Sequence, residues 1–111
     1  MEITIQDLMD RLPKAFVPEK AAGVNASVLF HLTGEMGGDW VVTIKDQTCV
    51  VTQGRKDNTN LIFAAEAQDC LDIFTGKLDE MRAFMQGKLR LTGDMGLATK
   101  LAGFFDVQKA V

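Results

Sequence analysis

Hydrophobic and polar positions change their period several times along the chain, and each change marks an element. Ile5, Leu8, Met9 and Leu12 recur at helical spacing, the pattern of a helix with one buried face. Thr4 stands where it caps that helix, with Asp7 three residues later as partner in a capping-box pattern. Pro13 discourages continuation, and Pro18 keeps Phe16-Val17 extended or in a turn. From Asn25 the period becomes two. Ala26, Val28, Phe30 and Leu32 alternate with Asn25, Ser27, Leu29, His31 and Thr33, giving a strand with one apolar face.

A loop from Thr33 to Asp39 follows, and then Trp40, Val42 and Ile44 alternate with Val41, Thr43 and Lys45. A tight turn at Asp46-Gln47 leads into Thr48-Cys49-Val50-Val51-Thr52, so these short strands form an antiparallel meander. After the polar loop Gly54 to Thr59, Leu61-Ile62-Phe63-Ala64-Ala65 reads as a fourth strand. Helical spacing returns in Ala67, Cys70, Leu71 and Phe74, with Gly76 as the stop. Asp79 caps a next helix carrying Met81, Phe84 and Met85, which Gly87 ends. Lys88 to Thr92 alternates as a fifth strand, and Asp94 caps a last helix with Leu97, Ala98, Leu101, Ala102 and Phe105 on one stripe.

Strand and helix blocks are segregated, which predicts an α+β fold: helices covering a five-stranded, mainly antiparallel sheet. The fourth strand reaches the fifth through two helices, so a crossover is expected there. Gly76-Lys77-Leu78 and Gly87-Lys88-Leu89 echo each other and read as two similar helix stops.

A length of 111 residues suits one domain, 1–111. The formal charge is −3 and no basic cluster occurs, which argues against nucleic-acid binding, where Lys and Arg must displace counterions. No apolar run approaches the ~20 residues of a membrane span. Met1-Glu2-Ile3-Thr4 has neither the basic start and apolar stretch of a signal peptide nor the glycine of a myristoylation signal. Cys49 and Cys70 stand far apart and outside any C-x-x-C pair, so they read as small buried hydrophobes in a reducing compartment. The expected localisation is cytoplasmic.

Reactive groups are sparse. His31, the single histidine, falls on the polar phase of its strand, and Ser27, the single serine, lies mid-strand outside G-x-S-x-G. No Cys, His and carboxylate cluster has metal-ligand spacing. Gly34 to Gly38 enters a strand rather than a helix, and Gly87-Lys88 lacks the rest of a P-loop. No catalytic residue, no metal and no cofactor is expected, so the chain reads as a non-enzyme.

The apolar material of the second half stands out instead. Large or flexible groups gather in its helices, and methionine adapts to irregular apolar partners. Phe104 and Phe105 are adjacent, so a helix containing both leaves one for a second surface, a partner, a membrane or a ligand.

Thr33-Gly34-Glu35 and the run from Gly38 through Trp40 to Asp46 resemble the hairpin of sterol carrier protein 2 domains. The similarity continues in Asp69 to Leu71, in Thr75-Gly76-Lys77-Leu78, and from Ala83 through Gly87-Lys88-Leu89 to Leu101. It covers nearly the whole chain in the same element order. The resemblance implies an apolar tunnel enclosed by the sheet and helices, which binds and transfers fatty acid, fatty acyl-CoA, sterol or phospholipid without a covalent step. Transient membrane contact goes with that role. The tunnel candidates it suggests are Trp40, Phe74, Met81, Phe84, Met85, Met95, Leu97, Leu101, Phe104 and Phe105. Arg82 and Lys100 are candidates for head-group contact. The alternative is an interaction or dimerisation module that presents lipid substrates to a partner enzyme. The tail Gln108-Lys109-Ala110-Val111 departs from the peroxisomal Ser-Lys-Leu-like ending of many eukaryotic members. It points to a stand-alone cytoplasmic protein of bacterial type and away from sterol as the ligand.

Overall fold

The computed structural model describes residues 4–35 and 37–106, without the side chain of Ala102. Met1-Glu2-Ile3, Met36 and the tail containing Gln108-Lys109-Ala110-Val111 lie outside the described residues.

Helix α1 spans Ile5–Ala15 and starts at the expected capping box: the Asp7 amide donates to Thr4 Oγ1 at 3.1 Å, and the Thr4 amide donates to Asp7 Oδ2 at 2.9 Å. The bond from the Thr4 amide is the leading cause of a lowered pKa for the Asp7 carboxyl. Pro13 does not end this helix as expected; it sits inside the last turn. The missing N–H forfeits only the bond to the Met9 carbonyl, while buried Leu12 and Ala15 hold the turn against the core. The chain leaves the helix at Phe16, and Val17 before Pro18 is extended. A short 3-10 turn at Pro18–Ala21 follows.

Strands β1 (Ala26–Thr33), β2 (Gly38–Lys45) and β3 (Thr48–Gln53) form the expected antiparallel meander. Asp46 and Gln47 both have positive φ, 52° and 58°, the backbone of a two-residue type I′ hairpin turn. The Thr48 hydroxyl donates to the Lys45 carbonyl at 2.6 Å and closes it.

β4 (Leu61–Glu66) does not extend the meander. The sheet order is β3-β2-β1-β4-β5, and β4 lies parallel to β1. The crossover is therefore the β3-to-β4 connection. The link expected to cross, from β4 through α2 (Ala67–Phe74) and α3 (Glu80–Met85) to β5 (Leu89–Gly93), returns to an adjacent antiparallel strand. Asn60 locks this arrangement. Its side-chain oxygen accepts from the Ser27 amide at 2.9 Å, its amide donates to the Ser27 carbonyl, and its carbonyl accepts from the Asp94 amide.

Both echoing glycines end helices in the same motif. Gly76 has φ 84° and Gly87 φ 75°. In each case the following lysine amide reaches back five residues, Lys77 to the Asp72 carbonyl and Lys88 to the Ala83 carbonyl, a Schellman stop.

The core lies on one face of the sheet. Val28, Phe30, Leu32, Val42, Ile44, Leu61, Phe63 and Leu89 point into it and meet α1, α2 and α4 (Met95–Leu101). The alternation in β1 is less clean than expected: Leu29 and Val41, paired across β1 and β2, are also buried although they stand outside that core. β1 is the central strand, and Val41 and Ile62 flank Leu29 on the same face.

The last helix is shorter than its periodicity suggests. α4 ends at Leu101, a 3-10 turn covers Ala102–Phe104, and Phe105 forms a bridge with Phe16. Two adjacent large rings cannot share one helical face, and the change of backbone geometry buries both Phe104 and Phe105. Amide bonds from Val17 to the Phe104 carbonyl and from Asp106 to the Ala15 carbonyl tie this end to the N-terminal segment.

Candidate functional site

The ten apolar candidates fall into two groups. Trp40, Phe74, Leu97, Leu101, Phe104 and Phe105 are buried in the core cluster. Phe74 is its hub, with ring centroids 5.8 Å from Phe30, 6.1 Å from Phe63 and 6.1 Å from Phe105. The other four face solvent: Met81 is 57% exposed, Phe84 42%, Met85 79% and Met95 44%. Exposed apolar groups of this size are informative when they converge.

Three of them do. Asp79 caps α3 by accepting from the Arg82 amide at 3.1 Å, and the helix buries Ala83 toward β5. That places Met81 and Phe84, three residues apart, on one side. Asp94 Oδ1 accepts from the Leu97 amide at 3.1 Å and starts α4, which buries Leu97, Ala98 and Leu101 and leaves Met95 at the near end. Between the two helices runs a groove of about 260 Å³, lined by Met81, Phe84, Leu91, Met95, Ala98 and Thr99, with Asp79 and Glu80 on its acidic side. Met85 does not line it.

Glu80 is the anomaly. One carboxylate oxygen, Oε1, is out of solvent with no hydrogen-bond partner. Burial raises the pKa of this carboxyl, and the charge of Asp79 beside it adds to the effect. Leu91, Ala98, Thr99, Asp79 and Glu80 were not among the sequence candidates. Leu91 sits on the core phase of β5, and Ala98 lies one turn from Met95, so periodicity held a signal for those two. The burial of Glu80 depends on how α3 meets α4, which local pattern does not carry. Arg82 and Lys100, the head-group candidates, do not line this groove; Lys100 borders another recess with Lys20, Gly103 and Phe104.

A polar recess of about 480 Å³ lies at the other end of β5, bordered by His31, Glu66, Asp69, Lys88 and Arg90. His31 Nδ1 lies 2.6 Å from Asp39 Oδ1, its cross-strand partner. Among the described residues no group of three His, Cys, Asp or Glu comes together as a metal site.

The fold finds its counterpart among known proteins. The chain belongs to the SCP-2 sterol transfer family, which matches residues 5–106. Its class is therefore lipid binding and transfer, and the family is in general a non-catalytic carrier. Hydroxysteroid dehydrogenase-like protein 2 from Homo sapiens is 39% identical over 77 residues, covering 68% of this chain and 18% of that protein. The chain thus spans about a fifth of that relative's length. The solution structure of palmitated SCP2L2 from Aedes aegypti superposes with a TM-score of 0.74 at 26% identity, covering 91% of this chain and 93% of that one. The same fold recurs, at a TM-score of 0.82 and 20% identity, in the sec-alkylsulfatase Pisa1 from Pseudomonas sp., covering 94% of this chain and 16% of that one.

Proposed function

We propose that this chain binds the apolar chain of a lipid at the α3–α4 groove and carries it without covalent chemistry. The observation that carries the reading is the convergence of Met81, Phe84 and Met95, all substantially exposed, on one apolar recess of an SCP-2 family chain. The palmitated form of the Aedes aegypti protein supports an acyl chain as the occupant.

A volume of about 260 Å³ lies below the ~300–1,000 Å³ of sites that enclose a drug-sized ligand. A long acyl chain therefore has to widen the groove toward the buried candidates, with Leu97 and Leu101 next along α4. Methionine side chains suit that repacking, because unbranched thioethers change shape at little cost. Burial is worth ~0.8 kcal/mol per CH₂ against water. A chain drawn from a membrane was already out of water, so uptake and release are close to balanced, as a carrier requires. The two free cysteines support a reducing compartment such as the cytoplasm as the protein's location.

Displacement of a fluorescent acyl probe from the purified protein, with fatty acid, acyl-CoA and sterol as separate competitors, tests the reading. Saturable uptake with competition is the expected result. A folded protein that takes up no probe overturns it and leaves the interaction module.

A further inference from the structure

We propose that Glu80 is a specificity-determining residue of this groove, selecting uncharged, hydroxyl-headed long-chain lipids over carboxylate-headed ones. The inference rests on the groove being the lipid site. Three observations lead to it. Glu80 lines the apolar recess; the residue is half-buried, and its Oε1 is turned out of solvent without a hydrogen-bond partner. A donor on a ligand in the recess can satisfy such an acceptor. A hydroxyl donates; a carboxylate does not.

The charges around the recess point the same way. Among the described residues lining it, the charged ones are Asp79 and Glu80, both acidic. Asp79 Oδ2 is already engaged by the Arg82 amide. Burial, and with it the like charge of Asp79, disfavours the charged form of Glu80 itself, so the recess is already a poor place for an anion. A carboxylate head would be a third anion in the same partly desolvated space, whereas an alcohol of equal chain length brings the missing donor and no charge. The apolar wall binds both chains alike, so the head group decides between them.

Matched competitors isolate the effect: dodecanol and laurate displacing an uncharged fluorescent acyl ester, on the wild-type protein and on Glu80→Gln. In the wild type, dodecanol displaces the probe at about tenfold lower concentration than laurate, which is ~1.4 kcal/mol. In Glu80→Gln the gap closes, because the amide oxygen still accepts from the alcohol while the repulsion of laurate is gone. A purely structural role for Glu80 would weaken both competitors together and leave their ratio unchanged. An unchanged ratio, or laurate displacing as well as dodecanol from the wild type, overturns the assignment while lipid binding stands. Failure of the wild-type protein to take up the probe overturns the lipid site itself, and this inference with it.

Discussion

Met81 and Met85 offer a matched pair of perturbations, being the same residue type on the same short helix. Met81 lines the groove and is 57% exposed; Met85 is 79% exposed and lies outside it. Fully burying a methionine is worth ~2 kcal/mol. A ligand that covers the exposed 57% of Met81 therefore gains about 1 kcal/mol from it. Met81→Ala should weaken acyl-probe binding roughly fivefold, and Met85→Ala should leave it within experimental error. Stability hardly separates the two variants. Their buried fractions are modest, and alanine is the better helix former, which offsets part of the lost contact. The assay is probe titration on each variant, alongside urea denaturation to show that both fold. Equal weakening by the two substitutions, or none from Met81→Ala, would refute the placement of the site between α3 and α4.

Phe74→Ala should behave as a core truncation and cost ~3–5 kcal/mol, lowering the thermal midpoint by roughly 15–30 °C; a drop of only a few degrees would show that the ring is not a packing hub. Burial pushes the Cys49 thiol up to about 12. Alkylation of the native protein at pH 8 should accordingly run on the order of a thousandfold slower than that of free cysteine, and rapid labelling without denaturant would contradict it. Glu80→Gln gives a test by pH. The folded-state pKa of Glu80 is raised, so the native state holds that proton more tightly than the unfolded state. Its contribution to stability falls as pH rises from the ordinary glutamate value through the raised one. The stability gain of Glu80→Gln should therefore be present at neutral pH and vanish below the ordinary glutamate range, and urea midpoints across pH 3–8 read it directly. A gain that grows toward acid would reverse the sign and refute the account.

Much of the fold was legible because local chemistry and tertiary structure agree. Thr4, Asp79 and Asp94 cap helices where the pattern puts them, and Gly76 and Gly87 stop helices with the same amide geometry. The misreadings share a cause, since each was decided by contacts distant in sequence. Pro13 stays helical because Leu12 and Ala15 are held by the core. The direction of β4 is set by its register on β1, which no local period encodes. The candidate site was half legible. Met81, Phe84 and Met95 were found as large apolar groups on helices, but their exposure was not. The same composition supplied Phe74 and Leu101, which the core absorbs. Glu80 was invisible because its partly buried state arises only once α3 and α4 face each other across Leu91.

The parallel pairing of β1 with β4 is a seam in the chain. Before that seam lie three strands joined by short turns. After it lie the elements that build the groove, every lining residue falling between Asp79 and Thr99. Within that stretch α3 is six residues long and buries Ala83 alone. A helix so lightly anchored opens at a small fraction of the free energy needed to part β1 from β4. Its amide protons should trade with solvent well before those of the central strand. On that expectation the helix that edges the groove would yield before the seam does, so the groove could widen without parting β1 from β4.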